Sequence, residues 1–205
     1  MNHAWSHAAF VSVSVVALAA CSPQAKQDTG NVVNAAENSI SNAANATGNA
    51  IQNAGQALTP TPTAQEFIDK AARSDAFEIA AAKLAKTNAA SADVKDFAKM
   101  MIDAHTQSTA RIKKVAGGLS PALTPDPTLT DSQKGKLDDL GKLKGADFDK
   151  KYIEGQVDAH EDALALMKKY AADGEEPALK SAAGDIEPVV QTHLDKAKAL
   201  KDKQS

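Results

Sequence analysis

The chain of 205 residues contains one cysteine, Cys21, and aromatic residues make up only 4% of it. A single thiol cannot form an intramolecular disulfide or a zinc–thiolate cluster, so the fold must be stable without either. Strand-length runs of β-branched and aromatic residues are missing while alanine is abundant, which favours an all-helical protein. The formal net charge of −3 provides no broad basic field, and we therefore expect no nucleic-acid partner.

Cys21 follows Leu18-Ala19-Ala20 at the end of an apolar run from Ala8 to Ala17. The run is short for a transmembrane helix, and small residues before a lone cysteine are typical of a bacterial lipoprotein signal. The first ten residues lack lysine and arginine, which departs from that pattern. We predict a signal peptide in residues 1–20 and a lipid anchor on Cys21 in the cell envelope. Because Ser22 rather than aspartate follows, we expect the outer membrane, facing the periplasm. The alternatives are an unlipidated secretory signal and a buried apolar segment.

Residues 21–62 form a second predicted part, which ends in Thr59-Pro60-Thr61-Pro62 and is rich in asparagine and alanine. Asparagines and apolar residues recur with a period of eleven residues, which corresponds to about 3.67 residues per helical turn. The asparagines would form one helical stripe and the apolar residues a second. Asparagine is a poor helix former. Two interpretations therefore remain open: an amphipathic helix that orders only against a membrane, a partner or itself, and a flexible polar tether.

Residues 63–205 are predicted to form the folded domain. Thr63 with Glu66 and Thr130 with Gln133 have the capping-box spacing that starts a helix. Apolar periodicity predicts four long helices, over about 63–87, 92–117, 146–172 and 177–201, with Ser91 capping the second and a short helix after Thr130. Short loops within each helix pair and one long connection between the pairs predict a ferritin-like four-helix bundle with one long crossover.

Each long helix has one candidate metal ligand on its predicted inner face: Glu78, His105, His160 and His193. One such group from each of four helices is an arrangement that builds metal sites in bundle cores. Imidazole and carboxylate suit iron, zinc, copper or manganese, and Met101, one turn before His105, favours copper. The di-iron motif Glu-x-x-His is absent from the sequence. A transition metal is therefore a possible cofactor, and buried structural hydrogen bonding by the histidines is the alternative.

Several stretches, in order along the chain, resemble a known family: Phe77-Glu78-Ile79, Phe97 to Thr106, Gln156 to Ala163, and Pro188 with His193-Leu194. They look like domain of unknown function family 4142, which comprises ferritin-like bacterial envelope proteins, over about residues 65–200. The resemblance implies a ferritin-like four-helix bundle and an envelope location, and it implies no established activity. The family usually has an acidic residue where this chain has Ala104, and it tends to have leucine where this chain has Glu187.

Two functions remain open at this stage. In the first, the protein is a non-enzymatic envelope lipoprotein whose periplasmic bundle is a scaffold or serves a stress response. In the second, the bundle binds iron, copper or zinc for storage, trafficking or redox chemistry. The sequence has neither a nucleophile elbow nor a phosphate-binding loop, so we predict no catalytic residue and no enzyme activity. The expected partners are the membrane, through Cys21, and an unidentified protein.

Overall fold

The computed structural model describes residues 60–204, so the predicted signal peptide, Cys21 and the repeat segment before Pro60 lie outside the described residues. Within residues 60–204 the structure has five helices and no strand. The helices are α1 (Ala64–Asn88), α2 (Ala92–Gly117), α3 (Asp131–Lys142), α4 (Gly145–Asp173) and α5 (Pro177–Asp202). In this part of the chain, no helix combines the length and the apolar character needed to cross a bilayer.

The four long helices form two hairpins that face each other. The first hairpin consists of α1 and α2, the second of α4 and α5, and the hairpins meet through contacts of α1 with α4 and of α2 with α5. Each hairpin turn is short, whereas residues 118–144 connect the hairpins and contain α3, which lies against α1. Short turns and one long crossover define the predicted four-helix bundle, and the all-α prediction is confirmed.

Two of the three predicted helix caps form in the structure. Both predicted capping boxes form, at Thr63 before α1 and at Thr130 before α3. The predicted cap by Ser91 is wrong, because its side chain makes no capping hydrogen bond although it occupies the N-cap position of α2. The backbone amides of Ala90 and Ser91 instead donate to the carboxylate of Asp149 at 3.1 and 2.8 Å. A residue of α4 therefore satisfies this turn.

Aromatic side chains fill the two ends of the core. Near the end of α4, the ring of Tyr170 stacks on Phe67, with ring centroids 3.9 Å apart. Near the start of α4, Tyr152 lies edge-on to Phe97 and stacks against Phe148 at 6.4 and 5.7 Å. The core between these groups contains alanines and a set of buried polar residues. That polar layer is where the bundle departs from simple hydrophobic packing.

Candidate metal centre

Three helices each place one histidine in the middle of the bundle: His105 from α2, His160 from α4 and His193 from α5. Their ring centroids are 5.6 to 5.9 Å apart, and the residues are 6%, 1% and 5% exposed. One ligand nitrogen from each ring lies within 4.8 Å of the nitrogens of the other two. The three imidazoles therefore occupy one layer and can converge on one ion.

The spacing requires only a small adjustment for metal binding. Zinc–nitrogen bonds to histidine are about 2.0–2.1 Å, so nitrogens around one ion of similar bond length in trigonal or tetrahedral geometry are about 3.3–3.6 Å apart. The ligand nitrogens here are at most 4.8 Å apart. Side-chain rotation that brings the rings together by roughly 1 Å would close the site. An adjustment of this size does not require a helix to move.

A carboxylate orients His105. Asp75 Oδ1 lies 2.8 Å from His105 Nδ1, and the Thr109 hydroxyl donates to Asp75 Oδ2 at 2.8 Å. A carboxylate accepts hydrogen bonds, so the neutral His105 ring carries its proton on Nδ1 and has a lone pair on Nε2. Histidine ligands of metal ions are commonly oriented by a carboxylate in this way.

A backbone carbonyl orients His160 in the same sense. His160 Nδ1 lies 2.8 Å from the backbone oxygen of Gln156, one turn earlier on α4. Because a carbonyl can only accept, Nδ1 carries the proton and Nε2 carries the lone pair. Among the described residues, His105 Nε2, His160 Nε2 and His193 Nδ1 are buried without any hydrogen-bond partner. Three unsatisfied nitrogens in one layer are the set that a metal ion would bind.

The electrostatics keep two of the three rings neutral. Burial, together with the positive charge of neighbouring histidines, lowers the pKa of His160 to about 4 and that of His193 to about 3. Burial also opposes the charged form of His105, but hydrogen bonding and charge from Asp75, with the charge of Glu78, raise its pKa overall. At neutral pH, His160 and His193 are therefore in the form that binds metal.

Glu78, the fourth predicted ligand, is 1% exposed but does not belong to the histidine cluster. Its Oε2 accepts a hydrogen bond from the side-chain amide of Gln156. Burial raises the pKa of Glu78 to about 7, although the charge of His105 and the hydrogen bond from Gln156 oppose that rise. The structure thus brings the three predicted histidines together and leaves Glu78 beside them, held by Gln156.

Sequence reasoning missed the residues that orient the histidines: Asp75, Thr109 and Gln156. Asp75 follows Phe67 by eight positions and precedes Glu78 by three, so the helical period places all of them on one face. Gln156 and Thr109 each lie one turn from a histidine. The helical period was a usable signal for Asp75, whereas the hydrogen bonds themselves depend on tertiary packing.

The chain belongs to the family described as Domain of unknown function (DUF4142), whose model matches residues 48–200. No curated protein matches the chain. Among solved structures, it is similar to CopM in the Cu(II)-bound form, with a TM-score of 0.61, 18% identity, and coverage of 71% of this chain and 100% of that chain. The Cu(I)-bound and Ag-bound forms of CopM give a TM-score of 0.58 at 18% and 20% identity, covering 69% of this chain and 97% of theirs. At these identities the similarity shows a shared helical fold.

Proposed function

We propose that this member of the family binds one copper ion through His105, His160 and His193. The observation that carries the proposal is the group of three buried imidazoles whose ligand nitrogens lie within 4.8 Å of one another. Imidazole suits copper, zinc, iron and nickel. Copper is our choice because CopM, which shares the fold, has been solved in Cu(II)-bound, Cu(I)-bound and Ag-bound forms.

The charge of the site supports a monovalent ion. When all three imidazoles are neutral, the carboxylate of Asp75 balances one positive charge within hydrogen-bond distance of His105. A divalent ion would leave one positive charge in the buried core unless Glu78 ionised as well, and an unbalanced buried charge is costly. With Glu78 protonated, the site is therefore better matched to Cu(I) than to a divalent ion, and Ag⁺ is a useful substitute for Cu(I) in experiments.

A motif near the start of the sequence supports a role in the cell envelope. We propose that the Leu18-Ala19-Ala20-Cys21 motif anchors the protein by lipid to the outer membrane, with the bundle in the periplasm. The metal site would then serve storage or trafficking, without a catalytic step. The alternative is a non-enzymatic scaffold in which the histidines have only a structural role.

Equilibrium dialysis of the full chain against Ag⁺, Cu²⁺ and Zn²⁺, with the bound ions counted by mass spectrometry, tests the proposal. The chain also contains His3, His7 and Cys21, which can bind these ions. The informative quantity is therefore the difference between the wild-type chain and His160→Ala, which share that background. We expect His160→Ala to lose about one Ag⁺ per chain. Equal ion counts would favour the scaffold.

Folding of the variant must be checked in the same experiment. Circular dichroism should show that His160→Ala keeps its helical content before its ion count is interpreted. Thr106→Ala is the matched control, because Thr106 is an exposed residue directly after His105 on α2. It should bind as many ions as the wild-type chain.

A further inference from the structure

The proposed centre is enclosed by protein. The three histidines are 6%, 1% and 5% exposed, so an ion cannot reach their nitrogens without passing other side chains. A buried site of this kind needs an entry path that is separate from its ligands. Two grooves on the surface of the bundle are candidates for that path.

The first groove lies between α1 and α4 and has a volume of about 1150 Å³. Its lining includes the apolar side chains of Phe77, Leu140 and Leu166. The most buried residues that line it are Tyr152 and Gln156, each 1% exposed. The groove therefore extends from the surface into the polar layer of the core.

Gln156 contacts both the groove and the histidine layer. Its side-chain amide donates to Glu78 Oε2, and its backbone oxygen accepts from His160 Nδ1. Glu78 in turn interacts electrostatically with His105. We infer that the ion enters from the groove between α1 and α4 and passes the Glu78–Gln156 pair to reach the histidines. This inference rests on the proposed function.

Unsatisfied oxygens mark the same path. Among residues 60–204, Glu78 Oε1, Gln156 Oε1 and the Tyr152 hydroxyl are buried without a hydrogen-bond partner. Burying oxygens of this kind destabilises the folded protein unless water or a cation contacts them. Oxygen ligands suit copper less well than imidazole does. An ion would therefore rest briefly on these oxygens and move on to the three nitrogens.

The second groove, between α2 and α5, lacks this feature. It has a volume of about 950 Å³, and Met100, Ala104, Ile186 and Val189 are among its lining residues. In the described part of the chain, none of its lining residues has a buried polar atom without a partner. The carboxylates that line it, Asp96, Asp103 and Asp185, are exposed at the surface, and its one buried lining residue, Ile186, is apolar.

The path can be narrowed at Gly155, which lines the first groove directly before Gln156. A Cβ at Gly155 meets no atom within 4 Å, so Gly155→Phe should fold normally and place a ring in the groove. Gly117→Phe is the matched control, because a Cβ there also meets nothing within 4 Å and Gly117 lies outside both grooves. Gln156→Ala widens the path and keeps the backbone carbonyl that orients His160.

The measurement is the rate of Ag⁺ uptake by the full chain, followed by rapid mixing, a chelator quench and counting of retained silver. We expect Gly155→Phe to slow uptake by about tenfold and to change the equilibrium dissociation constant by less than about twofold. Gln156→Ala should speed uptake, and Gly117→Phe should leave it unchanged.

The outcomes separate this inference from the proposed function. If the wild-type chain takes up no histidine-dependent silver, the metal site itself is refuted and the path with it. If silver binds but Gly155→Phe loads at the wild-type rate, the path is refuted and the site stands. Slowing by Ala104→Phe in the other groove, without slowing by Gly155→Phe, would likewise overturn the path and indicate entry between α2 and α5.

Discussion

Asp75 is the residue whose replacement separates a metal site from a structural cluster most clearly. Asp75→Asn keeps the size of the side chain and removes its charge. The Asp75 carboxylate lies 2.8 Å from His105 Nδ1 and also accepts from Thr109 at 2.8 Å. The substitution therefore weakens the group that fixes the His105 tautomer, and it removes the negative charge that would balance a bound cation.

The expected magnitude follows from the usual effect of such partners. Loss of a group that orients a ligand costs about 10- to 100-fold in metal affinity, or about 1.4 to 2.8 kcal/mol. At a free ion concentration of 100 times the wild-type dissociation constant, binding stabilises the folded protein by about 2.7 kcal/mol. A tenfold weaker variant would gain only about 1.4 kcal/mol under the same conditions.

The assay is thermal unfolding of wild type and Asp75→Asn with and without Ag⁺, combined with a chelator competition that gives the dissociation constant. Asp139→Asn is the control, because Asp139 is an exposed carboxylate that pairs with Lys142. We expect the silver-induced rise in melting temperature to shrink in Asp75→Asn and to be abolished in His105→Ala. The reasoning is refuted if Asp75→Asn binds silver as tightly as the wild-type chain.

Three further predictions concern pH, anchoring and the domain boundary. In the ion-free protein, burial lowers the pKa of His160 from 6.5 to about 4, so the unfolded chain binds the proton more readily. The free energy of unfolding should therefore fall by about 3 kcal/mol, because of His160, as the pH is lowered from 6.5 to 4. Glu78, whose pKa is raised from 4.5 to about 7, acts in the opposite direction, so Glu78→Gln should steepen the loss on acidification in urea unfolding. A wild-type chain that gained stability steadily towards pH 4 would contradict this sign. Cys21→Ala should lose palmitate labelling and leave the membrane fraction, and labelling that persisted would disprove the anchor. A chain that begins at Thr63 should keep its helicity and its cooperative melt, whereas a large drop in melting temperature would mean that the preceding segment stabilises the bundle.

Local signals in the sequence were enough to predict the helices. The capping boxes at Thr63 and Thr130 involve residues three positions apart, so they form without help from the rest of the fold. The cap predicted for Ser91 failed because Asp149, from a different helix, satisfies that turn. A sequence pattern cannot show such a contact, since it depends on how two hairpins pack.

The histidine layer was predictable for a similar reason. Each histidine lies near the middle of a long helix. Because a helix rises by about 1.5 Å per residue, the position of a residue in its helix predicts its height along the bundle axis. Position along the helix also placed Glu78 in the polar layer. It could not show that Glu78 would bind Gln156, because that hydrogen bond joins α1 to α4. The ligands were therefore foreseeable, and the residues that orient them only in part.

Direct hydrogen bonds between the three rings cannot satisfy all the buried nitrogens of the cluster. A hydrogen bond between two neutral imidazoles needs one N–H and one lone pair. The Nδ1–H groups of His105 and His160 already donate to Asp75 and to the Gln156 carbonyl. Among the described residues, the Nε2 lone pair of each ring therefore accepts no hydrogen bond. His193 can supply one proton, which leaves at least one buried lone pair unsatisfied. A second proton on His105 would repair the network, and its partner Asp75 favours that charge. A proton and a metal cation thus compete for the same nitrogens, and one metal ion at the centre of the layer would accept all three lone pairs at once.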